Sequence, residues 1–204
     1  KTIKDHKRII FNGNGYEENW IREATEKRGL LNYRTTADAV PHILDKKNVD
    51  MLTSHGVFTE AEIRSRYEIT LENYCKTIII EANTMVDMAK TQIAPAVSAY
   101  ASELARTSAA KKALDSALPC GYETDLVRKL SALTDRIYDG AVAVENSLLS
   151  LAAAEDIGGE AALIRDKVLA GMGELRVACD EAETLTAKRY WPYPSYGDLL
   201  FSVQ

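Results

Sequence analysis

The 204-residue chain reads as an all-α protein: an antiparallel bundle of three to four long helices, the first kinked at Pro95, preceded by a segment of short helices. Three observations carry that reading. Between Gly56 and Gly121 the chain holds no glycine, and its only prolines there are Pro95 and Pro119; the stretch is rich in Ala, Glu, Leu, Met and Lys, residues that lose little on entering a helix. Apolar residues recur through it in steps of three and four. Breakers then return where a bundle needs connections, at Pro119-Cys120-Gly121 and Gly158-Gly159.

Residues 1–58 form a connecting segment of short helices. Ile9, Ile10 and Phe11 suit a short strand or the end of a helix, and Asn12-Gly13-Asn14-Gly15 is a strong turn signal. Helical patterns follow over 17–28, 36–44 and 45–55, with Thr35 or Thr36 placed to cap the second. Gly56 suits a helix end, because it tolerates the left-handed conformation.

Residues 59–189 carry the long helices. Thr59 and Glu62 have the spacing of a capping box. The first stripe runs Ile63, Tyr67, Leu71, Tyr74, Ile78, Ala82, Met85, Ala89, Ile93, Val97, Tyr100, Leu104. That implies a helix of roughly 55 residues, about 80 Å if straight. Pro95 lacks an N–H and crowds the preceding turn, so a kink is expected there rather than a stop. A second stripe runs from Leu126 to Leu151 and ends at Gly158-Gly159; a third runs from Ile164 to Leu185. Gly171 and Gly173 inside the third point to close helix contact. At roughly 35 and 28 residues, the later helices are shorter than the first. The first therefore overhangs the others or bends at Pro95, and an exposed overhang that still carries its apolar stripe would need a partner.

Residues 190–204 are a Pro/aromatic clasp. Alternating Pro and aromatic residues favour an extended path, and Ser195 and Asp198 have capping spacing for a last turn. The candidate interface residues are Tyr190, Trp191, Pro192, Tyr193, Pro194, Tyr196 and Phe201. They either fold back on their own bundle or meet a neighbouring subunit, since aromatic anchors typify interface hot spots.

Charge and motif content exclude several functions. With 25 Lys+Arg against 30 Asp+Glu, the chain lacks the basic surface that neutralises phosphates, so no nucleic-acid partner is expected. No apolar run reaches the ~18 residues of a membrane span, and no secretory signal opens the chain. Cys75, Cys120 and Cys179 are too few and too scattered for a disulfide framework or a zinc site, and read as reduced thiols in a cytoplasmic protein. His6, His42 and His55 lack metal-ligand spacing. The turn at Asn12–Gly15 lacks the Lys-Ser/Thr of a phosphate loop. Glu68, Glu72 and Glu81 lie near the first stripe, but no Glu-x-x-His exists to complete a di-metal bundle site. Salt bridges to Arg64, Arg66 and Lys76 account for them. Catalytic, cofactor-binding and metal-binding residues are therefore none, and a stand-alone enzyme is not expected. Lys1 in place of Met suggests a piece of a longer polypeptide.

Several strings in order resemble the C-terminal region of type III glutamine synthetases, the large bacterial form of the enzyme. They are Lys7 to Tyr16 (KRIIFNGNGY), Arg28 to Asn32 (RGLLN), Arg34 to Ala39 (RTTADA), Ser65 to Ile69 (SRYEI), and Tyr190 to Phe201. The resemblance runs from about Lys7 to Phe201. It implies a full-length glutamate–ammonia ligase that uses ATP and a divalent metal (Mg or Mn), with its active site in a preceding catalytic domain. It also implies assembly as a homo-oligomeric dodecamer. None of the family's catalytic motifs matches here, so the chain is expected to be a non-catalytic tail that supports subunit or ring assembly. The alternative is an independent helical-bundle binding or regulatory module, which fold alone does not separate from it.

Overall fold

The computed structural model describes residues 1–201, and among these there is no β-strand; the protein is all-α. It divides into two compact units, Lys1–Tyr67 and Glu68–Gln204.

The first unit strings together short elements. α1 (Thr2–Asp5) leads into a 3-10 turn over Lys7–Ile9, so the segment at Ile9 is a helix end and not a strand. α2 (Glu18–Arg22) widens into a π turn, Glu23–Lys27. α3 (Thr36–Ala39) starts where the Thr35 hydroxyl accepts the Asp38 N–H, and continues as a 3-10 turn over Val40–Leu44. α4 (Lys46–Ser54) ends in a closed motif. Gly56 stands at φ 61°, its N–H returns to Thr53 O at 3.0 Å, and the Val57 N–H returns to Leu52 O at 3.0 Å. A side chain at Gly56 would strain that left-handed residue. α5 (Glu60–Met88) begins at the expected capping box: the Thr59 N–H donates to Glu62 Oε2 at 2.7 Å, and the Glu62 N–H to Thr59 Oγ1 at 3.3 Å. The first turns of α5 carry the start of the apolar stripe. Fully buried Ile63 shares a cleft there with Leu44 and Val49, so α4 and the turn before it supply the cover.

In the second unit α5 continues through a π turn, Ala89–Ile93, into α6 (Ala94–Leu114). The helix does not stop at Pro95, where a kink is expected; the π turn immediately precedes it. In the π turn the Ala94 N–H reaches five residues back to the Ala89 carbonyl. The wider turn sits directly ahead of the proline ring, where a plain α-turn would clash.

α7 (Gly121–Ser150) follows a short loop, then a 3-10 turn over Leu151–Ala153, α8 (Ile157–Leu163), a π turn over Ile164–Val168, and α9 (Leu169–Leu185). α10 (Tyr196–Leu200) closes the described chain. The glycine pair was expected to stop the second long helix; instead it opens α8. α7 stops at Ser150, and Asp156 caps the new helix by accepting the Gly159 N–H at 2.7 Å. Glycine marks either helix end, and the acidic cap two residues earlier decides which.

α7 lies between α6 and α9 and packs on both. Polar pairs show the alignment. Lys111 of α6 meets Glu123 near the start of α7, while Lys90 in the π turn meets Glu145 near its end. On the other side Arg136 reaches Glu181 at 2.9 Å. Both crossings are antiparallel, as the short connections require.

The core follows the three stripes. Leu71, Ala82, Val97 and Leu104 are buried from the first, Leu130, Leu133, Ile137 and Val144 from the second, and Ile164, Val168 and Leu175 from the third. Each fully buried Leu, Ile or Val contributes about 1.5–3 kcal/mol from removal of apolar surface. Two glycines let α7 and α9 approach. A Cβ on Gly140 would sit 3.3 Å from Leu175 Cδ1 and 3.5 Å from Leu175 Cα, and one on Gly171 would sit 3.3 Å from Val144 Cγ2. Gly173, also expected at a contact, faces open space.

Candidate functional site

The C-terminal segment divides into a docked half and an exposed half. After α9, Arg189 and the Tyr190 hydroxyl both converge on the Glu103 carboxylate of α6. The Tyr190 ring packs on Tyr100 with centroids 5.2 Å apart, and the Tyr100 hydroxyl lies 3.4 Å from that of Tyr122. Trp191 and Tyr193 follow in edge contact at 6.3 Å. Their rings close one side of an apolar groove of about 460 Å³, whose other walls include Ile80, Met85, Met88 and Met172. The Tyr193 hydroxyl is buried with no hydrogen-bond partner among the described residues. Burial, with smaller contributions from Asp87 and Cys179, pushes its pKa up.

Beyond Pro194 a capped hinge leads into α10. Ser195 and Asp198 form the expected capping box, with Ser195 N–H to Asp198 Oδ2 at 2.9 Å. Lys188 reaches back to Asp198 Oδ1 at 2.5 Å. The Lys188 ammonium, aided by Ser195, holds the Asp198 carboxyl down at about 2. The short helix so fixed presents apolar side chains to solvent: Tyr196, Leu199, Leu200 and Phe201 are 61–83% exposed. Of the candidate interface residues, Tyr190, Trp191 and Tyr193 are thus at least partly turned inward, whereas Pro192, Pro194, Tyr196 and Phe201 are exposed.

A second constellation, missed in the sequence, centres on Arg28. Its Nη2 and Nε bond Glu23 Oε1 at 2.6 and 2.9 Å, and its Nη1 donates to the carbonyls of Ile10 at 2.7 Å and Arg8 at 3.3 Å. The guanidinium also lies 4.8 Å from the Trp20 ring, and Trp20 stacks on Phe11 at 3.9 Å. A Cβ on Gly13 would come within 2.6 Å of Phe11 Cζ, so a side chain there would have to displace the stacked ring. Gly29 follows at φ 63°, and the Leu30 N–H returns to Ala24 O at 2.9 Å. Two of the strings noted above, KRIIFNGNGY and RGLLN, therefore meet in one knot. Arg28 immediately before a left-handed glycine was the available signal.

Among the described residues no three His, Cys, Asp or Glu side chains gather in a way that could hold a metal ion. His42 stacks on Tyr33 at 4.0 Å and its Nδ1 lies 3.0 Å from Asp45. Glu72 pairs with Lys76 at 2.8 Å, as expected. Arg64 instead takes Glu60 at 3.0 Å, and Arg66 lies over the Phe58 ring at 4.3 Å. Glu81 lines the groove. Cys75, Cys120 and Cys179 are free thiols, and burial raises those of Cys75 and Cys179 to about 11.

The chain is similar over its full length to a glutamine synthetase of Butyrivibrio fibrisolvens, at 36% identity. It is similar over 98% of its length to a type-3 glutamine synthetase of Dictyostelium discoideum, at 29%, and over 95% to a glutamine synthetase of Bacteroides fragilis, at 28%. It spans only 27–29% of the length of these relatives. The family model for the glutamine synthetase C-terminal domain matches residues 1–112, which takes in the Arg28 knot and the long helix through most of α6. On that match the chain belongs to the glutamine synthetase C-terminal domain family.

Proposed function

We propose that the chain is the non-catalytic C-terminal domain of a type III glutamine synthetase and that it supports subunit or ring assembly in a cytoplasmic homo-oligomer. The observation that carries the assembly role is α10. A capping box and the Lys188–Asp198 pair fix a short helix whose apolar side chains face solvent. Ordered apolar surface of this kind is characteristic of contact sites.

In the parent enzyme ATP and Mg or Mn would supply an activated phosphoryl group and neutralise its charge. Among the described residues of this chain no three His, Cys, Asp or Glu side chains gather to hold such a metal. Binding of both groups belongs to the catalytic domain that precedes this chain. No described helix is long and apolar enough to cross a membrane.

The test is deletion of residues 190–204, and separately of 59–204, from the full-length enzyme, with mass measured in solution. The assembly should weaken or dissociate in both. An intact dodecamer after the larger deletion would refute the role. ATP-dependent glutamine formation by the isolated 204 residues would refute the non-catalytic assignment.

A further inference from the structure

The groove closed by Trp191 and Tyr193 lies wholly within the second unit and has no part in the assembly role argued from α10. At about 460 Å³ it has the size of a site for a small organic molecule. Three separate segments build its walls: Ile80, Met85 and Met88 on α5, Met172 on α9, and Trp191 and Tyr193 beyond it. Three of the chain's four methionines thus line one space. Thioethers adapt to the shape of a guest and make favourable contacts with an aromatic ring. The Trp191 and Tyr193 rings add aromatic surface of their own.

Two polar features select the guest. The Tyr193 hydroxyl is buried with no hydrogen-bond partner among the described residues, and a buried hydroxyl left unpaired is costly, so a polar atom of a guest would relieve it. The rim is acidic. Exposed Glu81 on α5 and Glu183 on α9 line the groove from its two helical walls, and neither has an ion-pair partner among the described residues. Arg176, the one cation among the described lining residues, is taken by Asp180 at 3.3 Å. An anionic guest would face two uncompensated carboxylates, whereas a cationic one would answer them. The same charge disfavours a second copy of a chain whose own net charge is -5. We propose that the groove binds a small aromatic amine, with its ring among Met85, Met88 and Met172, its ammonium towards Glu81 and Glu183, and a polar atom of the ring system at the Tyr193 hydroxyl.

The experiment titrates tryptamine into the full-length enzyme carrying carbon-13 methionine methyl groups, assigned by single Met→Leu substitutions. Indole-3-propionate, which puts a carboxylate where tryptamine has its ammonium, is the counterpart. The ring current of the indole should shift the Met85, Met88 and Met172 signals along one saturation curve and leave Met51, in the first unit, unmoved. Indole-3-propionate should bind roughly tenfold more weakly. Glu81→Gln combined with Glu183→Gln should erase that preference, and Tyr193→Phe should weaken tryptamine binding by about 2–10-fold. Silence of the three methionines, movement of Met51 on the same curve, or equal affinity for the two probes would each overturn the proposal. So would a charge preference that survives in the Glu→Gln pair, or unchanged tryptamine affinity in Tyr193→Phe. Methionine shifts that appear without tryptamine as the protein concentration rises would assign the groove to a second copy and also overturn it.

Discussion

The two glycines Gly140 and Gly173 should respond to substitution with opposite sign. Gly173 lies inside α9 with open space where a Cβ would go. Alanine there recovers the helix propensity that glycine forfeits, about 1 kcal/mol, and meets nothing. Gly140 lies inside α7 against Leu175, whose Cα would be 3.5 Å from the new Cβ and whose side chain is only 1% exposed. Valine there recovers about 0.4 kcal/mol of propensity. Its γ carbons, however, extend towards a backbone that cannot yield, and overpacking costs about 1–3 kcal/mol. The net effect is a loss of about 2 kcal/mol. For a protein of this size each kcal/mol moves Tm by about 2–4 °C. Thermal unfolding followed by far-ultraviolet circular dichroism should therefore show Gly173→Ala rising by about 2–4 °C and Gly140→Val falling by about 4–8 °C. Equal shifts of one sign would refute the claim that α7 and α9 are held close by the absence of a side chain at 140.

Two further outcomes concern titration. Asp198 has a folded pKa of about 2 against about 3.9 unfolded, so its contribution to fixing α10 is complete above the unfolded value and is lost as pH falls from about 4 to 2. Carbon-13 titration of the carboxyl should give a midpoint near 2 that moves up in Lys188→Met; a midpoint near 4 in the unaltered protein would show that the hinge is not formed. Cys75 and Cys179, at about 11, hold two to three orders of magnitude less thiolate at pH 8 than a thiol of pKa 8.5. Disulfide-exchange labelling should be slowed accordingly, with partly buried Cys179 reacting before buried Cys75, and the reverse order would contradict the burial described.

Periodicity made the long helices legible. Ile63, Leu71, Ala82, Ala89, Ile93, Val97, Tyr100 and Leu104 are all buried, because a helix repeats its facing direction every 3.6 residues regardless of what it meets. The capping boxes at Thr59 and Ser195 were legible for the same reason: each is closed within four residues. The sequence is silent where partners lie far apart along the chain. Cys75 and Val86 are buried beside the stripe, filling space that only the packed neighbours define. The close approach at Gly140 depends on Leu175 of another helix. Arg28 takes the carbonyls of Arg8 and Ile10, and no spacing rule couples residues eighteen or twenty apart in a chain of short turns. The groove, assembled from α5, α9 and the terminal segment, is invisible to any local pattern.

The π turn at Ala89–Ile93 also corrects the phase of the long helix. From Ile63 to Leu104 the buried stripe takes eleven steps and 41 residues. Eleven turns of undistorted α-helix use about 39.6 residues, so an unbroken helix would carry the stripe about 140° around its axis by the end. A π turn absorbs one extra residue, about 100° of that drift, in a single place. The buried positions of α6 therefore stay in phase with those of α5. A one-residue deletion between Ala89 and Ile93 would convert the wide turn to an ordinary one and leave the flanking faces aligned, at the cost of the Pro95 ring crowding the preceding turn. The same deletion elsewhere between Glu60 and Leu114 would rotate everything beyond it by about 100° and turn the core stripe towards water.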